Sequence, residues 1–118
     1  MENYSVLMSI YYKEVPNNLK QALDSIFTQT ITSNDVVLIE DGVLGKDLEN
    51  VVVEYERKYP QLHVHRFPKN RGLGFALNDG ITLCKNEIIA RMDTDDISKP
   101  YRMERQLQVM SAHSEYAI

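Results

Sequence analysis

Four short apolar runs, each stopped by a polar cluster and followed by apolar residues at helical spacing, constrain this chain more than any other feature. The runs are Tyr4 to Ile10, Val36 to Ile39, Leu62 to Phe67 and Glu87 to Met92. The first reads as a buried strand and the other three as further strands. Between them, Leu19, Ala22, Leu23, Ile26 and Phe27 form one helical stripe. Leu48, Val51, Val52, Tyr55 and Tyr59 form a second, and Leu73, Ala76, Leu77, Ile81 and Cys84 a third. Pro16 suits a first helical position, where a missing N–H costs nothing, and Pro60 ends the second helix. A fourth helical pattern runs through Met103, Leu107 and Met110, and Glu115 to Ile118 is expected to begin a further strand. Strands separated by helices of three or more turns are βαβ units, and their right-handed crossovers give a parallel sheet. The predicted fold class is therefore α/β, an open, mainly parallel sheet with helices on both faces. The 118 residues suit one domain, 1–118.

Open α/β sheets bind ligands outside the carboxyl ends of their strands, where the strand order reverses. That rule selects Tyr11 to Glu14, Glu40 to Gly42, Asn70 to Gly72 and Asp93 to Asp96, each following a strand. Asp93, Asp95 and Asp96 crowd three carboxylates into four residues, and like charges so close disfavour one another's ionised forms. A hard cation such as Mg²⁺ or Mn²⁺ resolves the conflict and can bridge the acids to phosphate oxygens. The plain alternative is a solvated acidic turn, with Ser98 capping a helix ahead of Pro100. Asp41 can accept hydrogen bonds from a base N–H or ribose hydroxyls, although Asp-Gly is also a common turn. Alternation should turn Tyr11 and Tyr12 to opposite sides, and Tyr11, sharing the parity of Ser9, is expected to face a ligand as a stacking surface. Arg71, at a helix start, is expected to supply positive charge beside a phosphate or base.

Several classes are excluded. The net charge of −4, from 13 basic and 17 acidic residues, argues against broad attraction to nucleic acid. Cys84 stands alone, so no internal disulfide or cysteine-rich zinc site forms, and His63, His65 and His113 are too scattered for a metal centre. Gly72-Leu73-Gly74 follows the third strand and lacks the third glycine of a dinucleotide fingerprint. No apolar stretch approaches the roughly 18 residues of a membrane span, and Met1-Glu2-Asn3 opens no secretory signal pattern, so a cytoplasmic location is expected.

With the strand ends assigned, the chain resembles the nucleotide-binding half of glycosyltransferase family 2, inverting enzymes of the GT-A fold. The matching segments are Ser5 to Tyr11, Ser25 to Thr30, Val37 to Gly42, Asn70 to Gly74 and Ala90 to Asp96. The resemblance implies that Ser9, Tyr11, Glu14, Asp41, Arg71, Asp93 and Asp95 contact the nucleotide. It implies a divalent cation, Mg²⁺ or Mn²⁺, at Asp95 and Asp96. The implied donor is a nucleoside diphosphate sugar, most often of uridine, and the implied reaction is transfer to a glycan or lipid-linked acceptor hydroxyl in polysaccharide synthesis. The location would then be the cytoplasm or the inner face of the membrane, and self-association is compatible with the sequence. Ser9 and Tyr12 stand where the family often has Pro and Asn, and Glu40 replaces the first acid of a frequent Asp-Asp pair. The family's general base lies well beyond the Asp-x-Asp, so it is expected past residue 118, and the stretch 1–118 is expected to bind donor but not to transfer sugar efficiently. Two other readings carry less. A sugar nucleotidyltransferase needs a Gly-rich basic first loop, unlike Tyr11 to Glu14. A signalling receiver domain needs an Asp after the third strand, where this chain has Phe67-Pro68-Lys69.

Overall fold

The computed structural model describes residues 3–94 and 97–112. The elements are β1 Ser5–Ile10, α1 Pro16–Phe27, β2 Asp35–Asp41, α2 Lys46–Lys58, β3 Leu62–Phe67, α3 Leu73–Leu83, β4 Ile89–Arg91 and α4 Arg102–Ala112. The strands pair in parallel in the order β3-β2-β1-β4. The order thus reverses between β1 and β4, and this is the switch point at which such sheets open a crevice. The expected strand at 115–118 lies outside the described residues.

Strand alternation divides the core in two. Val6, Met8, Ile10, Val36, Leu38 and Ala90 face α1, α2 and α4, whereas Leu7, Val37, Ile39 and Ile89 face α3. β2 is buried along its whole length, which explains why its sequence reads as a continuous apolar run rather than an alternating one. α3 lies very close to the sheet because residue 80 has no side chain. A Cβ there would collide with Leu7 Cδ1 and come within 3.3 Å of Ile39 Cγ1.

β4 is shorter than the sequence suggested, three residues rather than six. Single ladder bonds extend the pairing by one residue at each end: Ser5 N–H donates to the Ile88 carbonyl at 2.8 Å, and Met92 N–H to the Leu7 carbonyl at 3.1 Å. Arg91 pairs with Leu7, so counting on at that register brings Asp93 beside Ser9.

The segment after the acids is pinned by the end of α1. Gln29, buried, donates from Nε2 to the Ser25 carbonyl at 2.9 Å and the Lys99 carbonyl at 2.7 Å, while its Oε1 accepts Met103 N–H at 3.1 Å. Ser25 Oγ accepts Ser98 N–H at 3.0 Å, and Thr30 N–H donates to the Pro100 carbonyl at 2.7 Å. Ser98 is consequently not a helix cap. α4 begins later, and the Ser98 hydroxyl accepts from the Arg102 guanidinium at 2.9 Å. Gln29→Leu leaves the Ser25 carbonyl and Met103 N–H without partners, whereas the Lys99 carbonyl keeps Arg102 N–H at 3.0 Å, and unsatisfied buried groups cost about 1–3 kcal/mol each, partly relieved by water. Urea unfolding should therefore register a loss of about 2–4 kcal/mol. A midpoint equal to that of the parent chain would show that this anchor carries no stability.

Candidate functional site

At the carboxyl rim, β1 and β2 end together, with Ile10 opposite Glu40. There a cavity of about 560 Å³, within the range of small-ligand sites, is lined by Ser9, Tyr11, Glu14, Asp41, Asn70, Gly72, Leu73, Asp93 and Thr94. Five of the residues singled out from the sequence thus converge: Ser9, Tyr11, Glu14, Asp41 and Asp93. Asp95 and Asp96 lie outside the described residues.

Asp41 is the last residue of β2 and is buried. Its Oδ1 accepts Arg71 N–H at 2.8 Å and its Oδ2 accepts Gly72 N–H at 3.0 Å. One carboxylate therefore fixes the loop arriving from β3 against the end of β2. An ionised carboxylate has about four acceptor positions, so capacity remains for a ligand N–H or hydroxyl. Gly42 makes this closeness possible. It has φ +92°, and a Cβ there would stand 2.9 Å from the Asn70 backbone nitrogen.

Arg71 departs from expectation. Its guanidinium pairs with Asp79 at 3.2 Å and lies 4.8 Å from the centre of the Phe75 ring, both on α3. The side chain is held along the helix and is not among the cavity's lining residues. Only its backbone N–H serves the rim. Tyr11 and Tyr12 also differ from the alternation argument, because β1 stops at Ile10 and strand geometry stops with it. Both rings are exposed, 46% and 57%, and meet edge to face at 5.9 Å. Tyr11 alone lines the cavity.

Among the described residues the lining contains three carboxylates and no lysine or arginine. Thr94, 6% exposed, donates its hydroxyl to Glu14 Oε2 at 2.6 Å. Asn70 and Thr94 lie in the strand-end segments the sequence selects but carry no assigned role there, and Leu73 lies just outside them, because none has a chemistry-bearing signal by itself. Their proximity to Arg71 and Asp93 in the chain is the available sign. Among the described residues no group of three or more His, Cys, Asp or Glu forms a metal cluster. The lining is nevertheless chemically suited to a hard divalent ion, being anionic and oxygen-rich.

Glu40 points to the other side of the strand. It is buried beside Arg66 Nε at 3.4 Å, and its Oε2 has no hydrogen-bond partner. Arg66 also bonds Glu49 at 3.2 Å and Glu56 at 3.0 Å. Burial, reinforced by the adjacent Glu49, pushes the Glu40 carboxyl up to about 8.

The fold is an open α/β sheet with an anionic cavity at its switch point, the place where sheets of this class bind ligands. Comparison with known proteins carries the class further. The sequence pattern of glycosyl transferase family 2 matches residues 5–118, and this chain belongs to that family. It is 42% identical to the amylovoran biosynthesis glycosyltransferase AmsE of Erwinia amylovora, over 98% of this chain and 43% of that protein. It is 37% identical to the UDP-Gal:alpha-D-GlcNAc-diphosphoundecaprenol beta-1,3-galactosyltransferase of Escherichia coli, over 98% of this chain and 42% of that one. The chain therefore spans under half the length of these relatives. Among solved structures it resembles Staphylococcus aureus TarS 1–349 in complex with UDP, with TM-score 0.82, 21% identity, and coverage of 96% of this chain and 33% of that one. It also resembles the mannosyltransferase PcManGT of Pyrobaculum calidifontis in complex with GDP-Man and Mn²⁺, with TM-score 0.80, 18% identity, and coverage of 92% and 32%. These likenesses establish the GT-A type of fold.

Two outcomes follow from the geometry of the rim. Gly42→Ala forces a side chain into a positive φ and against the Asn70 backbone, so thermal unfolding should show a loss of about 1–3 kcal/mol. An unchanged melting temperature would mean that the two loops are not closely apposed. Glu40 titrates near 8 in the folded chain and near its ordinary 4.5 when unfolded, so between those values the unfolded state binds fewer protons. Stability contributed by the protonated carboxyl is present below pH 4.5 and is lost as pH rises through 8. Glu40→Gln should accordingly flatten the fall in urea midpoint between pH 5 and pH 9, and the same slope in both proteins would contradict this assignment.

Proposed function

We propose that this stretch is the donor-binding part of an inverting glycosyltransferase, with the rim cavity holding a nucleoside diphosphate sugar whose base is uridine. The observation that carries the reading is the charge of the lining. Three carboxylates without a lysine or arginine repel a bare diphosphate, yet they surround a cavity of ligand size at the switch point, beside an exposed aromatic ring. A divalent cation removes the conflict. Asp95 and Asp96 are the residues proposed to hold Mg²⁺ or Mn²⁺, which when bound offsets the charge gathering on the departing diphosphate. The Mn²⁺ in the PcManGT complex supports a metal in this fold, and the UDP in the TarS complex, with the UDP-Gal of the Escherichia coli relative's name, supports uridine.

The chain's own residues then divide the work. The Tyr11 ring offers a flat face to the base, and the free acceptor positions of Asp41 take a base N–H or a ribose hydroxyl. Asp93, beside Ser9 at the cavity wall, accepts from the ribose. In the proposed transfer the acceptor hydroxyl attacks the anomeric carbon from the face opposite the diphosphate, and a general base takes its proton. We assign that base to sequence past residue 118, so residues 1–118 alone bind donor and transfer little. The acceptor is proposed to be a glycan or a lipid-linked sugar, in keeping with the names of the two relatives, and the site of action the cytoplasm or the inner membrane face. No described helix is long and apolar enough to cross a membrane.

Calorimetry with UDP, GDP and phosphate, each with and without Mn²⁺, tests the reading. UDP should bind with Mn²⁺, and either omission of the metal or Asp95→Ala should weaken it by about tenfold or more, some 1.4 kcal/mol. Equal, metal-independent binding of all three ligands would overturn it.

A further inference from the structure

Glu14 lines the cavity, yet its hydrogen bonds run to the protein. Its Oε1 accepts Val15 N–H at 2.8 Å and Asn18 Nδ2 at 3.3 Å, at the start of α1. Its Oε2 accepts the hydroxyl of Thr94, eighty positions later in the chain, at 2.6 Å. A hydroxyl donating to a carboxylate at that distance makes a strong, charge-assisted bond. Burial opposes the charge on Glu14, but the bonds from Thr94, Val15 and Asn18 outweigh it and hold the carboxyl below its ordinary range. Thr94 is buried and is the middle residue of the Asp-x-Asp. The other end of the connection is equally fixed, because Glu14 N–H donates to the Tyr11 carbonyl at 3.1 Å and closes a tight turn that carries the Tyr11 ring.

We infer that Glu14 is a positioning residue: through the Thr94 hydroxyl it straps the turn bearing Tyr11 to the acidic segment, setting the distance between the wall that stacks the base and the wall that faces the ribose. The inference rests on the donor-site reading above and changes the role of Glu14 within it, from nucleotide ligand to brace. Once the ladder between β1 and β4 ends, the Glu14–Thr94 bond directly links the two loops that leave those strands. The strap also explains why a threonine hydroxyl is buried at a rim that otherwise presents acids. A bond made wholly within the protein fixes the cavity's width, so less ordering remains to be done on binding.

Calorimetry of UDP with Mn²⁺ on the 118-residue chain separates the possibilities. Thr94→Val and Glu14→Ala should each weaken binding by about tenfold, and the double variant should be no weaker than either single one, because both remove the same bond. Thr94→Ser and Glu14→Gln, which keep a donor and an acceptor in place, should stay within about threefold of the parent. Unfolding midpoints measured alongside identify any variant that fails to fold, in which case the Ser and Gln pair decides: a tenfold loss in both, in folded protein, overturns the strap. Weakening by Glu14→Ala with none from Thr94→Val would make Glu14 a direct ligand and overturn the inference, as would strictly additive losses. Should the parent chain itself fail to bind UDP with Mn²⁺, the donor-site reading falls and this inference with it. Parent binding with unaltered variants removes the inference alone.

Discussion

The carboxylate of Asp41 holds the rim together. It is the terminal residue of the central strand, out of solvent, and its two oxygens each take a backbone N–H from the loop that enters α3. Backbone N–H groups require acceptors, and Asp41 supplies one to each of these two, with Asn70 Oδ1 also accepting from Gly72 at 3.2 Å. The position of that loop, of Gly72 and Leu73 on the cavity wall, and of the start of α3 all follow from this one residue. Gly42, lacking a side chain, lets the two loops approach. The same residue is thus structural and available to a ligand, and the two roles are compatible because a carboxylate has more acceptor positions than the loop consumes.

Fold and site were unequally legible in the sequence. Periodicity identified the four strands and four helices of the described residues, since β2 and β1 are apolar enough to be buried and α1 and α2 carry clear stripes. The parallel arrangement followed from connection lengths. Boundaries failed where tertiary context decides: β4 is cut to three residues because, among the described residues, it pairs with the first half of β1. Asp41 and Asp93 were legible as strand-end acids. The direction of Arg71 was not, because its partners Asp79 and Phe75 lie on the helix that follows, and nothing in the loop's own sequence selects them over a ligand. The brace between Glu14 and Thr94 and the anchor at Gln29 were invisible for a related reason. Each joins residues seventy or more positions apart through one or two polar contacts, which leave no periodic signature.

Those two contacts have a common consequence. Gln29 and Ser25 fix the stretch that follows the acids, at Ser98, Lys99 and Met103, while Glu14 fixes Thr94 within them. The family-like segment Ser25 to Thr30 lies far from the cavity in sequence, and its part in the site is mechanical. Carboxylates gathered at one rim repel one another, so a rim of this kind is steadied by anchors from outside the acids themselves.

The central claim is that strand-end carboxylates converge on one cavity where a divalent cation and a diphosphate meet. Paramagnetic broadening of backbone amide resonances by substoichiometric Mn²⁺ in the presence of UDP tests it most directly. The account expects broadening concentrated at Ser9, Tyr11, Gly72 and Thr94, with Ser33, Asp35 and Lys85 at the amino ends of the strands left sharp. Broadening centred on that opposite end, or spread evenly over the surface acids, would contradict it.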